Sequence, residues 1–328
     1  MKAFVLRSYG SPSQLENADV DTPVPADDEV LVRVRATSVN PYDWHFMRGE
    51  PRIARLMPGI MGLRAPNLTI LGCDMAGEVE AIGKNVTQFA PGDGVFALLP
   101  GGGFAAYAAV REDLLARKPE NLSYAQAAAV PMAAVTALLA LRDRGGIQPG
   151  QKVLVNGASG GVGTFAVQIA RALGATVTAV CGARHTEVVR SIGADDVIDY
   201  RTQDFTRNGH RYDLLLDIAG NRPAAAGRRV LTPNGTCVVV GGPAGRWVQP
   251  VRHTIASLAL APLISQSIVM ADAVGCTKKR QNLETLTKLI EAGQVTPVID
   301  RTYPFGELPE AVSYQEEGHS QGKVVVTV

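Results

Sequence analysis

The segment Val153-Leu-Val-Asn-Gly-Ala158-Ser159-Gly160-Gly161-Val162-Gly163 carries the densest chemical signal in the chain. It passes from an apolar strand through a glycine turn into residues with helical spacing, the setting in which such a turn binds a dinucleotide. Gly160 lets the backbone come close to a pyrophosphate and Gly163 lets the helix pack tightly on the strand. The helix N-terminus at Gly161 and Val162 supplies N–H donors and a favourable dipole. Ala158 stands where the usual first glycine would be, so the strict glycine pattern is broken. The competing reading is a tight strand-to-helix turn with no ligand.

A second signal lies at the end of the next strand, where Gly182-Ala183-Arg184-His185 follows Val177–Cys181. NAD-binding turns carry an Asp or Glu about 20 residues beyond the glycines, which bonds the ribose hydroxyls and repels a 2′-phosphate. No carboxylate precedes Glu187 here. Gly182 leaves room for a phosphate, and Arg184 offers a planar cationic fork suited to its oxygens. NADPH is therefore the expected cofactor, against the plainer reading of Arg184 as a solvated residue opening the next helix.

These residues need a scaffold. The alternation of Glu29–Val39, with Val30, Val32, Val34 and Ala36 on one face, predicts a half-solvated antiparallel strand. Short runs at 75–82, 94–99 and 104–111, bounded by Gly or Pro, extend a β-rich domain over residues 1–122. Ser123 caps a helix that Pro131 is expected to kink. Apolar strands at 152–156, 177–180, 196–199, 213–217 and 236–240 then alternate with helical or loop segments, as a parallel doubly wound sheet requires. A cofactor domain over 123–265 follows. Beyond it come a strand at 267–271, helices at 280–292 and 308–314, and a final strand at 323–328, whose packing the local pattern leaves open.

The chain has 328 residues, long enough for two domains. Lys plus Arg total 32 against 31 for Asp plus Glu, so no net field favours nucleic acid or an acidic membrane. The apolar stretch Ile255–Met270 is too short and too polar to span a bilayer. Cys73, Cys181, Cys237 and Cys276 lie far apart, which suits reduced thiols rather than a zinc or disulfide framework. With Arg7 interrupting any signal-like apolar run, a cytoplasmic location is expected.

Ordered motifs along the whole chain resemble the medium-chain dehydrogenase/reductase superfamily, in its zinc-independent quinone oxidoreductase branch. They are SVNPYDWHFMRG at 38–49, LGCDMAGEVEAIG at 71–83, PGDGVFA at 91–97, AAAVPMAAVTA at 127–137, NGASGGVG at 156–163, GADDVIDY at 193–200, DLLLDIAG at 213–220 and QGKVVVTV at 321–328. The resemblance implies an α/β architecture. A GroES-like β-barrel catalytic domain would be formed discontinuously by 1–122 and 266–328, with a doubly wound Rossmann domain over 123–265. It also implies a cleft where nicotinamide and substrate meet, and a homodimer.

Zinc-dependent relatives place a Cys near Asn40 and a His-Glu pair where this chain reads Cys73-Asp74. His45 and Cys73 lack a matching third ligand, so no metal is expected. Without a Lewis acid the acceptor must be an electron-poor carbon, as in a quinone or an α,β-unsaturated carbonyl. The resemblance places Asn40 beside the nicotinamide, with an amide donor for that role, and Tyr42 or Tyr107 as candidate donors to the substrate oxygen. Trp44 and Tyr107 have barrel packing as their plainer reading. Tyr200, Ala219, Gly220, Gly241, Gly242 and Lys323 are implied cofactor contacts. For Lys323 the alternative is a solvated lysine at a strand start. The expected activity is NADPH-dependent reduction of quinones or conjugated carbonyls. The alternatives are a biosynthetic enoyl reductase and a weakly catalytic, crystallin-like NADPH-binding protein. Loops 50–66 and 247–257 are expected to shape the substrate pocket.

Overall fold

The structure is a computed structural model that describes residues 1–56, 61–242, 255 and 265–328. The strands in chain order are β1 (Lys2–Leu6), β2 (Leu15–Asp19), β3 (Glu29–Val39), β4 (Asp74–Ile82), β5 (Gly94–Leu98), β6 (Tyr107–Arg111), β7 (Leu115–Arg117), β8 (Lys152–Asn156), β9 (Thr176–Cys181), β10 (Asp196–Asp199), β11 (Tyr212–Asp217), β12 (Leu231–Val239), β13 (Ser267–Met270), β14 (Ile299–Pro304) and β15 (Lys323–Thr327). The α-helices are α1 (Pro41–Arg48), α2 (Tyr124–Ala128), α3 (Pro131–Leu138), α4 (Gly161–Ala172), α5 (Thr186–Ser191), α6 (Ala224–Gly227), α7 (Lys279–Glu291) and α8 (Leu308–Glu316).

By its internal contacts the chain divides into two units. The first comprises Met1–Val135, Val274–Ala292 and Pro297–Val328; the second comprises Thr136–Ala273 and Gly293–Thr296. The sequence predicts boundaries at 122/123 and 265/266. The contacts instead keep α2 with β3 and β4 of the first unit, and β13 with β12 of the second.

The first unit holds a seven-stranded sheet in the order β14-β15-β3-β4-β5-β7, with β6 pairing β3 off that path. Every pairing in it is antiparallel except β14 with β15. The inward Val residues of β3 pack with Met75, Val79 and Val95, burying apolar area, the principal stabilising term. A second cluster collects Phe4, Trp44, Phe46, Met47, Phe104 and Val326.

The second unit is a six-stranded, all-parallel sheet in the order β10-β9-β8-β11-β12-β13. That is the doubly wound order, whose ligands lie beyond the carboxyl ends of the strands. Ser123 caps α2 through Gln126 as a reciprocal capping box. At Pro131 the expected kink is a break: α2 stops at Ala128 and Pro131 opens α3, since proline has no N–H to continue the ladder but suits a first helical turn. The hairpin β1–β2, helix α1 and strand β14 carry too little periodicity to be read locally.

Candidate active site

In the second unit the glycine turn joins β8 to α4. Gly157 takes the left-handed conformation at φ 95°, and the N–H groups of both Gly157 and Ala158 donate to Val180 O. No non-glycine residue described has a positive φ, so the left-handed position is Gly157 and Ala158 is unstrained. At Gly163 a Cβ would come within 2.1 Å of Gly157 O, so only glycine allows α4 to sit against the turn. At Gly160 a Cβ would meet nothing closer than 3.8 Å. The surface above Gly160 is thus open beside a helix start whose first N–H groups lack intrahelical acceptors, the cradle a pyrophosphate fills.

The neighbouring strand ends add to this edge. Asn156 Nδ2 donates to Asp217 Oδ1 at 2.7 Å and to Asn221 Oδ1 at 3.0 Å, tying the ends of β8 and β11 together. Gly220 N–H also donates to Asp217 Oδ1, at 3.0 Å. Ala219 packs on Gly157, and Gly241 and Gly242 follow β12. Beyond β9, buried Gly182 faces the Tyr200 ring, which a Cβ would touch at 3.6 Å. Arg184 is exposed and its Nε donates to His185 Nε2 at 2.8 Å. That bond leaves Nδ1 as the protonated nitrogen of a neutral ring, and this atom is buried without a partner.

In the first unit a polar cluster is built where three strands run side by side. Ser38 of β3 lies opposite Asp74 of β4. Val324 of β15 lies opposite Val39, which carries Lys323 to Asn40. Lys323 Nζ donates to Asn40 Oδ1 at 2.5 Å and to Asp74 Oδ2 at 3.0 Å. Asn40 Nδ2 donates to Asp74 Oδ2 at 3.0 Å and reaches Ser38 O only at 3.4 Å. Asp74 also accepts from Ser38 Oγ at 2.5 Å and from Met132 N–H at 2.7 Å. Asn40 precedes α1, and its N–H donates to Asp43 Oδ2 at 2.8 Å, while Gly72 N–H reaches Asp43 Oδ1 at 3.1 Å. Burial pushes the Asp43 carboxyl up to about 7, against the lowering effect of these backbone donors. Burial, with Asp43 and Asp74 nearby, pushes the Cys73 thiol up as well.

Residues 26–120 match the alcohol dehydrogenase GroES-like domain, and residues 192–326 match a zinc-binding dehydrogenase domain. The chain is 36% identical over 343 residues to a chloroplast envelope quinone oxidoreductase homolog of Arabidopsis thaliana, covering 99% of this chain and 98% of that protein. It belongs to the medium-chain dehydrogenase/reductase superfamily, in the quinone oxidoreductase branch. A mitochondrial NAD(P)H oxidoreductase of Bos taurus is 32% identical over 360 residues, covering 100% of this chain and 89% of that one. The structure of the quinone oxidoreductase from Coxiella burnetii superposes with a TM-score of 0.85 at 28% identity, covering 100% of this chain and 99% of that one. This member of the superfamily is an oxidoreductase with a GroES-like barrel and a Rossmann sheet.

The matched domain is described as zinc-binding, but the described side chains here do not form such a site. Among the described residues no group of three or more His, Cys, Asp and Glu side chains is placed to hold a metal ion. Asp74 is bonded by four donors, one of them an ammonium that repels a dication. His45 Nδ1 instead pairs with Glu50 O at 3.0 Å, and its ring stacks on Trp44 at 3.7 Å.

The other aromatic candidates separate. Trp44 is buried in the core; Tyr42 is half-buried beside Phe46, ring centroids 4.7 Å apart. Tyr107 lines a cavity of about 650 Å³ with Val5, Ile70 and Leu99, whose walls include neither Asn40 nor Tyr42. Lys323 is 3% exposed, which removes the solvated reading. Of the two loops expected to shape the pocket, residues 57–60, 247–254 and 256–257 lie outside the described residues. Local reading passed over Asp43, although Asn40-Pro-Tyr-Asp43 has the spacing of a helix N-cap whose third residue reaches back.

Proposed function

We propose that this protein reduces quinones or α,β-unsaturated carbonyls with NADPH and without zinc. The observation that carries the reading is Asp74: its carboxylate is saturated by Ser38, Asn40, Met132 and Lys323, so this position serves to hold the Asn40 amide rather than a Lewis acid. The relatives named for quinone and NAD(P)H chemistry support the substrate and cofactor classes.

In this reading Gly160, Gly161, Val162 and Gly163, with Ala158 and Ser159, hold the pyrophosphate of NADPH, and Tyr200, Ala219, Gly241 and Gly242 border the rest. The bound cofactor supplies a hydride to an electron-poor carbon. As that carbon accepts the hydride, an electron pair moves onto the acceptor's oxygen. The second hydrogen on Asn40 Nδ2 donates to that oxygen and lowers the cost of its charge. Tyr42 is the second candidate donor. The catalytic domain is the discontinuous unit and the cofactor domain the unit of the parallel sheet, with α2 going to the former and β13 to the latter. β13 is an edge strand of its sheet, which supports pairing of two copies into a homodimer. The free thiols among the described residues fit a reducing compartment such as the cytoplasm.

Following NADPH absorbance with quinones, enals, enones and simple alcohols tests the activity. Turnover is expected on the conjugated acceptors, undiminished by chelators, and Asn40→Ala is expected to lower kcat while the protein stays folded. Oxidation of ethanol-like alcohols with loss of activity on chelation overturns the reading.

The preference for NADPH rests on Arg184 and Gly182, with the orphaned His185 ring N–H beside them. Arg184→Ala is expected to raise KM for NADPH roughly tenfold or more, the scale of one charge-assisted contact, and to leave KM for NADH nearly unchanged. A wild type that prefers NADH, or a variant that weakens both equally, removes Arg184 from the phosphate site.

A further inference from the structure

The Asn40 side chain lies between two groups of opposite hydrogen-bonding character. Lys323 has three donors and no acceptor, and an ionised Asp74 accepts only. An amide between them has one satisfied orientation, with Oδ1 on the ammonium and Nδ2 on the carboxylate, as the distances of 2.5 and 3.0 Å show. Turning it over sets NH₂ against NH₃⁺ and C=O against COO⁻. Both partners are almost wholly buried, Lys323 at 3% and Asp74 at 0% exposed, so water does not relieve that arrangement. The ion pair closes the triangle at 3.0 Å.

The ammonium on Oδ1 also draws electron density from the amide and makes its N–H groups better donors, the cooperative effect of linked hydrogen bonds. One Nδ2 hydrogen is committed to Asp74. The other has Ser38 O at 3.4 Å, beyond the usual range for an N–H···O bond. The cluster, in which Asn40 is itself 3% exposed, therefore ends in one polarised and fixed N–H that Ser38 O engages only at long range.

We propose that Lys323 and Asp74 are positioning residues that lock and polarise the Asn40 amide, and that Lys323 acts on the reaction through Asn40 rather than by touching the cofactor. This rests on the reading of Asn40 as the donor to the acceptor's oxygen. It replaces direct cofactor contact by Lys323 with a role one residue removed. Sequence spacing hides that role, because 283 residues separate the partners.

The test uses the full chain with Asn40→Ala, Lys323→Met and the double variant. It measures kcat with a saturating quinone, and the NADPH dissociation constant by quenching of protein fluorescence. Lys323→Met is expected to lower kcat about tenfold or more, to leave the NADPH constant within about twofold, and to cost little more in the Asn40→Ala background, the signature of residues acting as one unit. Lys323→Gln, which keeps one donor for Oδ1, is expected to recover part of kcat. A tenfold weaker NADPH constant in Lys323→Met, or losses that multiply in the double variant, overturns the proposal.

A second readout needs no turnover. The ¹⁵N side-chain amide signal of Asn40, identified by its loss in Asn40→Ala, is expected to exchange slowly in the wild type and to lose that protection in Lys323→Met. An unchanged signal overturns the clamp. If the wild type reduces no quinone or enone, the proposed activity fails while this signal still decides the clamp. If Lys323→Met does not fold, Lys323→Gln carries the same measurements.

Discussion

At the scale of single residues, the buried cluster holds two carboxyls against one ammonium, and Asp43 is the member whose charge is least supported. Its carboxyl is shifted from 3.8 up to about 7, so the folded protein binds a proton there that the unfolded chain has released. For a group raised in this way, the stabilising contribution is complete below the unfolded value and disappears as pH rises through the folded one. Between about pH 4 and 7 the Asp43 contribution therefore falls. The groups facing it are Cys73, Asp74 and Lys323. Asp43→Asn removes the titration, so urea unfolding of both proteins at pH 4.5 and 7.5 is expected to favour the variant progressively as pH rises. A difference between the two that does not change with pH assigns the titration elsewhere. In the sequence, Asn40 stands out only through the family resemblance as an amide donor and Asp74 as a replaced ligand, while Asp43 gives no signal that is read. Their convergence with Lys323 was not legible, because it depends on strand register between segments remote in the chain.

Among the elements, the parallel strands of the second unit were readable because each is a short apolar run ended by a turn residue. Strand β3 was readable from its alternation and the start of α2 from Ser123, to which the structure adds the reciprocal bond from Gln126. The strand at 104–111 begins later than expected, at Tyr107: Phe104 has turned into the core, and Ala105 makes only an isolated bridge to Ala3. The glycine turn gives this scale its sharpest test. A methyl at Gly163 would lie 2.1 Å from Gly157 O and 2.7 Å from the Ala158 backbone, neither of them a side chain that can swing away. Gly163→Ala is expected to push α4 off the turn, to destabilise the second unit by about 1–3 kcal/mol as overpacking does, and to abolish NADPH quenching of protein fluorescence. Gly160→Ala meets no such obstacle in the protein. It is expected to fold with wild-type stability and to weaken NADPH binding alone. Equal thermal stability of both variants with wild type removes the close-packing role from Gly163.

For the molecule as a whole, the seven-stranded sheet of the first unit is stitched from distant parts of the chain, with β15, last in sequence, inserted between β14 and β3. The six strands of the second unit are all contained in one continuous stretch between residues 152 and 270. Pairings that must wait for remote segments are slow to form, because the loop-closure entropy is lost before the contacts reward it. During synthesis the parallel sheet has all its strands in hand well before β3 meets its final neighbour. Until β15 arrives, Asp74 lacks its ammonium and the Asn40 amide has nothing to face on its oxygen side. On the proposed role of Asn40, hydride-transfer competence would be tied to the arrival of β15, because a chain whose parallel sheet is complete still lacks the ammonium that fixes the amide.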